Sequence, residues 1–398
     1  MIHRAHSPDW RTAIRNLVNA DSGRDILSEG KCNEQFLRTV YKAMSPWGSH
    51  GVDQDDVDKA ERIVAQHDPC STREMKEQMS KGLRCIDIRG GMRVQIVNGT
   101  MYLKSLQPCY QSRGRSMIHL LFQAMQAGPQ IPDVDFVINC GDHPLVPKGR
   151  KDKAMPPILS IATTKEHLDI AWPCFSFWNW PEAGIYSWPK QRLEMLESSR
   201  RFDFESGKVP QMFWRGSDNG KFVNKNGQVS GKRRPLVHKS EKLPQIINAH
   251  FTKSTSPLTL VPLRDHCRYK YLANVAGATY SARLKYLLLC GSLLFQVEDP
   301  HFEFYQPLLT ANKHFLQIKS DFSDLEEKLN WANKNPEKAR EVANNSKRFG
   351  EECLQICNVI NYMRQVLTVY SSALNFKVTV KDGAQIIMSP SDIDTFFG

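Results

Sequence analysis

The sequence predicts an α/β protein of two packed lobes, and three observations carry that expectation. At 398 residues the chain is longer than one ordinary hydrophobic core serves. Short apolar runs rich in β-branched and aromatic residues alternate with segments of helical periodicity, the pattern of parallel sheets flanked by helices. Over 191–208 the composition turns charged and helical ("QRLEMLESSRRFDFESGK"), which marks a change of lobe. The expected division is 1–200 and 201–345 for the two lobes, with 346–398 as a helical segment and tail.

Taken in order, residues 1–80 read as helices and loops broken by "SPWGSHG" and "HDPCS". Residues 92–106, "MRVQIVNGTMYLKSL", alternate apolar and polar about Asn98-Gly99, a strong hairpin signal. A helix is expected over Ser116–Ala127. "VDFVIN" (134–139) and "ILSIATT" (158–164) have the composition of strands buried in a parallel sheet, and an aromatic-rich segment over 172–188 closes the first half. In the second half "QMFWRGS" (211–217) reads as strand into loop. "YKYLANV" (269–275), the loop "AGATYS", the helix "ARLKYLLLC" stopped by Gly291, and "SLLFQV" then make one β-loop-α-β unit. From Asp324 to Phe376 apolar residues recur at helical steps.

Hydrophobic residues at 41% and charged residues at 24% suit a globular chain, and no run of about 18 apolar residues suggests an integral membrane protein. The net charge of +11 attracts phosphates, anionic lipid or nucleic acid. The basic runs "KGRKDK" (148–153) and "GKRRP" (231–235) sit among glycine and proline and read as solvated loops. No zinc-finger, RNP or basic-zipper pattern is present, so nucleic acid is not an expected partner. Ten cysteines without a C-x-x-C pair point to disulfides, and "CLQIC" (353–357) lacks histidines for zinc. Glycosylation triplets at Asn98 and Asn344 agree. Together these predict a secretory lumen, endoplasmic reticulum or Golgi. The opening "MIHRAHSPDWRTAIRNLV" has no apolar core of signal type, which leaves a lost leader or a cytoplasmic location as the alternatives.

Ligands of open parallel sheets sit beyond the carboxyl ends of the strands. Asp142 follows "VDFVIN" in such a loop. As a carboxylate it is a candidate general base for an acceptor hydroxyl, or else an Asx-type turn residue before Pro144. "AGATYS" places a helix N-terminus, Gly277 and Arg283 together, and "WRGS" adds Arg215. That set suits a diphosphate, unless each arginine only makes a surface ion pair. "GSDNGKF" (216–222) is not a phosphate loop, because only three residues separate its glycines and Phe222 replaces the magnesium-binding hydroxyl. The segment 169–189, "DIAWPCFSFWNWPEAGIYSWP", holds four of the eight tryptophans; its aromatic faces suit a sugar or peptide acceptor, or a small aromatic core. The acidic triplets at 133–135 and 392–394 lie at the start of a strand and in the tail, poorly placed for a metal.

"FVINCGDHP", "DIAWPCFSFWNWPE", "MFWRGS" and "DHCRYKYLANVAGATYSARLKYLLLCGSLLFQV" resemble, in order, blocks of glycosyltransferase family 90 over about residues 92–370. That family includes Rumi-like protein O-glucosyltransferases and xylosyltransferases, fungal capsule-associated proteins and plant and algal members. The resemblance implies a GT-B fold of two Rossmann-like lobes, with the acceptor on the N-terminal side and a UDP-sugar held mainly by the C-terminal lobe. It implies inverting transfer without a metal or other cofactor. By position, Asp142 matches the family's base, and Arg215, Gly216 and Ser217 its "RGS". Gly277, Ala278, Thr279, Tyr280, Ser281 and Arg283 match its donor loop, while Trp178, Trp180 and Tyr186 fall on the acceptor side. A disulfide between Cys267 and Cys290 is expected on the same match. Ala276 departs from the protein O-glucosyltransferases, which have arginine there, and "FWNWPE" looks more like plant and fungal members. The expected substrates are UDP-glucose or UDP-xylose and a protein or glycan acceptor, for a monomeric enzyme. A catalytically silent carbohydrate- or nucleotide-binding relative is the second expectation, and a basic scaffold for acidic partners the third.

Overall fold

The computed structural model describes residues 29–85, 88–149, 155–223, 229–252 and 260–398. The described chain opens with helices α1 (Glu29–Met44), α2 (Gln54–Gln66) and α3 (Arg73–Ser80). Asp53 and Asp56 cap the start of α2 reciprocally. The hairpin β1 (Gly91–Val97) and β2 (Thr100–Gln107) turns on Asn98 and Gly99, whose φ values of 50° and 77° match the right-handed twist of the flanking strands. Helix α4 spans Arg113–Gln126 and so begins three residues before the apolar pattern does. Its first residues, Arg113 and Gly114, are buried but are not apolar, which hid the start from periodicity. Strands β3 (Val134–Asn139), β4 (Ile158–Ser160) and β5 (Ile170–Ala171) follow.

The second half runs through α5 (Trp188–Arg200), β6 (Val209–Gly216), a small hairpin of β7 (Lys221–Val223) and β8 (Val229–Gly231), α6 (Arg234–Lys242), β9 (Ile247–Phe251) and β10 (Tyr269–Asn274). It continues with α7 (Leu284–Leu288), β11 (Leu293–Val297), β12 (Leu316–Ile318), α8 (Leu325–Lys334) and α9 (Pro336–Cys353). Five of its strands form one parallel sheet in the order β12-β11-β10-β6-β9. Trp214, Tyr271, Phe295 and Ile318 pack in the core between this sheet and its helices. Helix α7 has five residues, against the nine of the expected "ARLKYLLLC". Its short length weakens the helix-dipole argument for an anion at its start, since few peptide units are aligned.

The chain ends with α10 (Ile356–Ala373), β13 (Gln385–Ile387) and α11 (Pro390–Phe397). The helical stretch expected over 324–376 is therefore three helices, α8, α9 and α10. The first sheet has the order β13-β2-β1-β3-β4-β5, antiparallel as far as β3 and parallel beyond it. The antiparallel pairing of β1 with β2 follows from the two-residue turn, which joins only antiparallel neighbours.

By packing, one unit comprises the described residues up to His67 with 88–184 and 356–398, and the other comprises 68–85 and 185–355. The units thus divide at Gly184, inside the aromatic segment, and the last 43 residues, 356–398, group with the first unit. The charged stretch read as a boundary takes in most of α5, from Gln191 onward, with its exposed face. Disulfide Cys109–Cys140 lies in the first unit, Cys70–Cys85 and Cys267–Cys290 in the second. Asn98 at the hairpin tip and Asn344 on α9 are both exposed. Among the described residues no helix is long and apolar enough to cross a membrane.

Candidate active site

In the first unit the chain leaves the carboxyl end of β3 in a tight turn. Asn139 shapes it: its Oδ1 accepts from Gly141 N at 2.8 Å, and its Nδ2 donates to His143 O at 2.7 Å. The Asx-type role thus belongs to Asn139. Asp142 is partly exposed, and its Oδ1 accepts from Arg113 Nη1 at 2.7 Å. The same Nη1 reaches Cys140 O at 3.3 Å. The Arg113 guanidinium lies 4.7 Å over the Phe175 ring and 5.5 Å over that of Tyr110. Beneath the following loop, buried Asp169 accepts from Leu145 N, Val146 N and Ser160 Oγ at 2.7–2.8 Å. A carboxylate held on one oxygen by a buried guanidinium, in a turn fixed on both sides, is suited to taking a proton with the other.

The expected acceptor-side aromatics divide between the units. Trp178 stacks on His119 with ring centroids 5.1 Å apart, and Trp180 meets Phe175 edge-on at 5.3 Å, both in the first unit. Asn179 between them accepts from Ser116 Oγ of α4 at 2.8 Å. Tyr186 falls in the second unit, 56% exposed, with the Lys190 ammonium 4.0 Å over its ring. The acidic triplets are engaged structurally. Asp135 is buried and bidentate with Arg93 at 2.7 Å, Asp133 accepts from Asn98 N, and Asp392 caps α11.

In the second unit "RGS" and the 276–283 loop come together at the carboxyl ends of β6 and β10. A Cβ on Gly216 would lie 2.8 Å from Arg283 Nη2 and from the Trp214 ring, so glycine leaves room for that guanidinium. Arg283 sits 5.6 Å from the centroid of Trp214, and its Nη1 is buried without a hydrogen-bond partner among the described residues. Burial pushes its pKa down to about 10. Arg215 is partly buried, 4.4 Å over Phe213, donating to Trp214 O and to Asn248 O and Oδ1 at 2.7–2.9 Å. His266, against the edge of Phe213, is held neutral: burial, then the Arg283 and Arg215 cations, push its pKa down to about 3. Thr279 and Ser281 are buried hydroxyls of the loop, Ala278 and Tyr280 are partly exposed, and Gly277 N bonds to Tyr280 O.

Two residues of this site were read otherwise in the sequence. "GKRRP" is not a solvated loop throughout. Arg233 is buried, donating to Ala276 O at 3.1 Å and Ser217 O at 2.9 Å, and its guanidinium is 5.5 Å from the Trp214 ring. Burial, and after it the Arg283 cation, lower its pKa to about 9. Lys232 bridges Ala278 O and Asp299 at 3.2 and 2.5 Å. Only the apolar Leu236 three residues on hinted that this run faces inward. Residues 150–153 of "KGRKDK" lie outside the described residues. Beside Lys232 a cavity of about 570 Å³ opens beyond the carboxyl ends of β10, β11 and β12, lined by Val275, Ala276, Val297, Glu298 and Asp299. Cys267 and Cys290 are joined, and Lys208 Nζ donates to both their carbonyls.

The sequence pattern described as Glycosyl transferase family 90 matches residues 67–393. The chain is 31% identical over 371 residues to "Protein O-glucosyltransferase 1" of Rattus norvegicus, covering 83% of this chain and 89% of the relative. It is 30% identical over 395 residues to "O-glucosyltransferase rumi" of Drosophila pseudoobscura pseudoobscura, covering 92% of each. To "O-glucosyltransferase rumi" of Drosophila melanogaster the identity is 29% over 385 residues, covering 91% of this chain and 89% of the relative.

Proposed function

The chain belongs to glycosyl transferase family 90, and we propose that it is an inverting, metal-independent transferase moving glucose from UDP-glucose to a hydroxyl of a protein, with Asp142 as general base. UDP-xylose is the alternative donor, since the two sugars differ by one hydroxymethyl group. The names of the relatives support glucose and a protein acceptor. Within this reading the two α/β units are the lobes of a GT-B fold, and the disulfides suit work in the lumen of the endoplasmic reticulum or Golgi.

In the proposed reaction the acceptor hydroxyl gives its proton to Asp142 Oδ2, and its oxygen bonds to the anomeric carbon as the bond to the UDP oxygen breaks. The charge left on UDP is met by Arg283, Arg233 and Arg215 in place of a metal. One observation carries the donor half of this reading: Arg283 and Arg233, both buried enough to lose basicity, repel one another while Arg283 Nη1 lacks a hydrogen-bond partner among the described residues. A diphosphate supplies the missing negative charge. The cavity at Lys232 and Asp299 has the size for the attached nucleoside, with carboxylates able to accept from ribose hydroxyls.

The test is UDP release from UDP-glucose and UDP-xylose, with and without protein acceptors, in the presence of EDTA. Asp142→Asn keeps the shape and loses the proton acceptor. It should lower transfer about a hundred- to ten-thousandfold while UDP binding stays near wild type. Near-normal transfer by folded Asp142→Asn removes the base assignment, activity that returns only with added manganese removes the metal-free mechanism, and UDP binding without turnover makes the chain a silent relative.

A further inference from the structure

We propose that Arg113 is a positioning residue for the reaction: it fixes the Asp142 carboxylate by one oxygen and so aims the other at the acceptor hydroxyl. The inference rests on Asp142 being the base. Neither the sequence motifs nor the relatives' names assign Arg113 a role.

The observations converge on one short piece of chain. Arg113 Nη1 donates to Asp142 Oδ1 at 2.7 Å, a charge-assisted bond with 8% and 17% of the two side chains exposed. Its second acceptor is Cys140 O, two residues before Asp142. Cys140 is also disulfide-bonded to Cys109, four residues before Arg113. The start of α4 and the turn after β3 are therefore tied twice, by a covalent bridge and by one guanidinium. Phe175 and Tyr110 fix the plane of that guanidinium from their ring faces. Gly114 completes the arrangement, because a Cβ there would lie 2.9 Å from Cys109 Sγ and 2.6 Å from Phe397.

A carboxylate in a solvent-facing turn otherwise rotates between rotamers, and only some present a lone pair to the substrate. Holding Oδ1 selects among them before the acceptor arrives, which is pre-organisation of the kind that changes turnover more than donor binding. The donor's cations lie in the other unit, so loss of Arg113 should leave donor affinity alone.

The experiment measures UDP release from UDP-glucose by the full chain for Arg113→Gln, Arg113→Lys, Asp142→Asn and Arg113→Gln/Asp142→Asn, with UDP affinity and melting temperature for each. Arg113→Gln should lower kcat by about 10- to 100-fold with KM for UDP-glucose within about twofold of wild type. Arg113→Lys should recover part of the loss, and in the Asp142→Asn background Arg113→Gln should cost no further activity. If Asp142→Asn is inactive while Arg113→Gln turns over normally, or if the two losses multiply, the positioning role is wrong although the base stands. If Asp142→Asn remains active, the base assignment fails first and this inference goes with it.

Discussion

Arg283 is costly to the free protein, and the proposed diphosphate would offset that cost. Its guanidinium is partly buried beside Trp214, within range of a second cation, Arg233, and its Nη1 makes no hydrogen bond among the described residues. Arg283→Ala should therefore leave the melting temperature of the unliganded protein unchanged or raise it, since it removes repulsion and an unsatisfied donor. The same change should weaken UDP binding about 10- to 100-fold, the range for losing one charge-assisted contact. Thermal unfolding with and without UDP checks both signs; a free protein destabilised by Arg283→Ala and binding UDP normally would refute the assignment. Asp142 and Arg283 drew attention in the sequence because each sits in a loop following a recognisable strand. Arg113 and Arg233 did not, because an arginine beside glycine or among other basic residues reads as surface charge. Their burial comes from the packing of Arg113 on Phe175 and of Arg233 on the 276–283 loop.

Elements position these side chains through close backbone approaches. The turn before β7 lies against the 276–283 loop proposed to hold the donor, where Gly220 takes φ of +69° and its missing Cβ would fall on Gly277 O. Gly220→Ala therefore meets both backbone strain and a carbonyl that cannot swing aside like a flexible side chain. Destabilisation of about 1–3 kcal/mol is expected, with weaker UDP binding as the loop shifts. Gly82→Ala is the control: φ there is +89° with nothing among the described residues within 4 Å of the new Cβ, so backbone strain is the expected effect and UDP binding should not change. Equal effects of the two substitutions on UDP affinity would contradict the contact. Element type was mostly legible, since β1–β2, β3, β6, β10 and β11 coincide within a residue or two with their apolar runs. Lengths were less so: "ILSIATT" yields only β4, three residues long, and the expected nine-residue helix yields the five-residue α7. Apolar content reports burial, and buried loops carry it as well as strands and helices.

At the scale of the whole molecule the α/β class was legible from the alternation of strand and helix patterns, whereas the grouping of 356–398 with the first unit was not. Lys381 N donates to Gln95 and Gln95 Nε2 to Thr379 O, bonds between residues almost 300 apart that no local pattern encodes. The stability of the second unit carries its own long-range bond in Lys208, whose Nζ donates to the carbonyls of both Cys267 and Cys290. Burial, and then the Lys347 ammonium, push the Lys208 pKa down to about 7. In the unfolded chain it returns to roughly 10.4. Between those values the unfolded state binds one proton more than the folded state, so stability rises with pH across the window. Below pH 7 both states are protonated and the full cost of the buried charge remains. Denaturant unfolding with disulfides intact should therefore show the free energy of wild type rising by about 2–3 kcal/mol between pH 6.5 and 9, relative to Lys208→Met measured alongside. The comparison cancels the other titrating groups, which both proteins share. A difference between the two proteins that stays constant with pH would mean that Lys208 keeps its proton in the folded state, its two carbonyl partners outweighing burial.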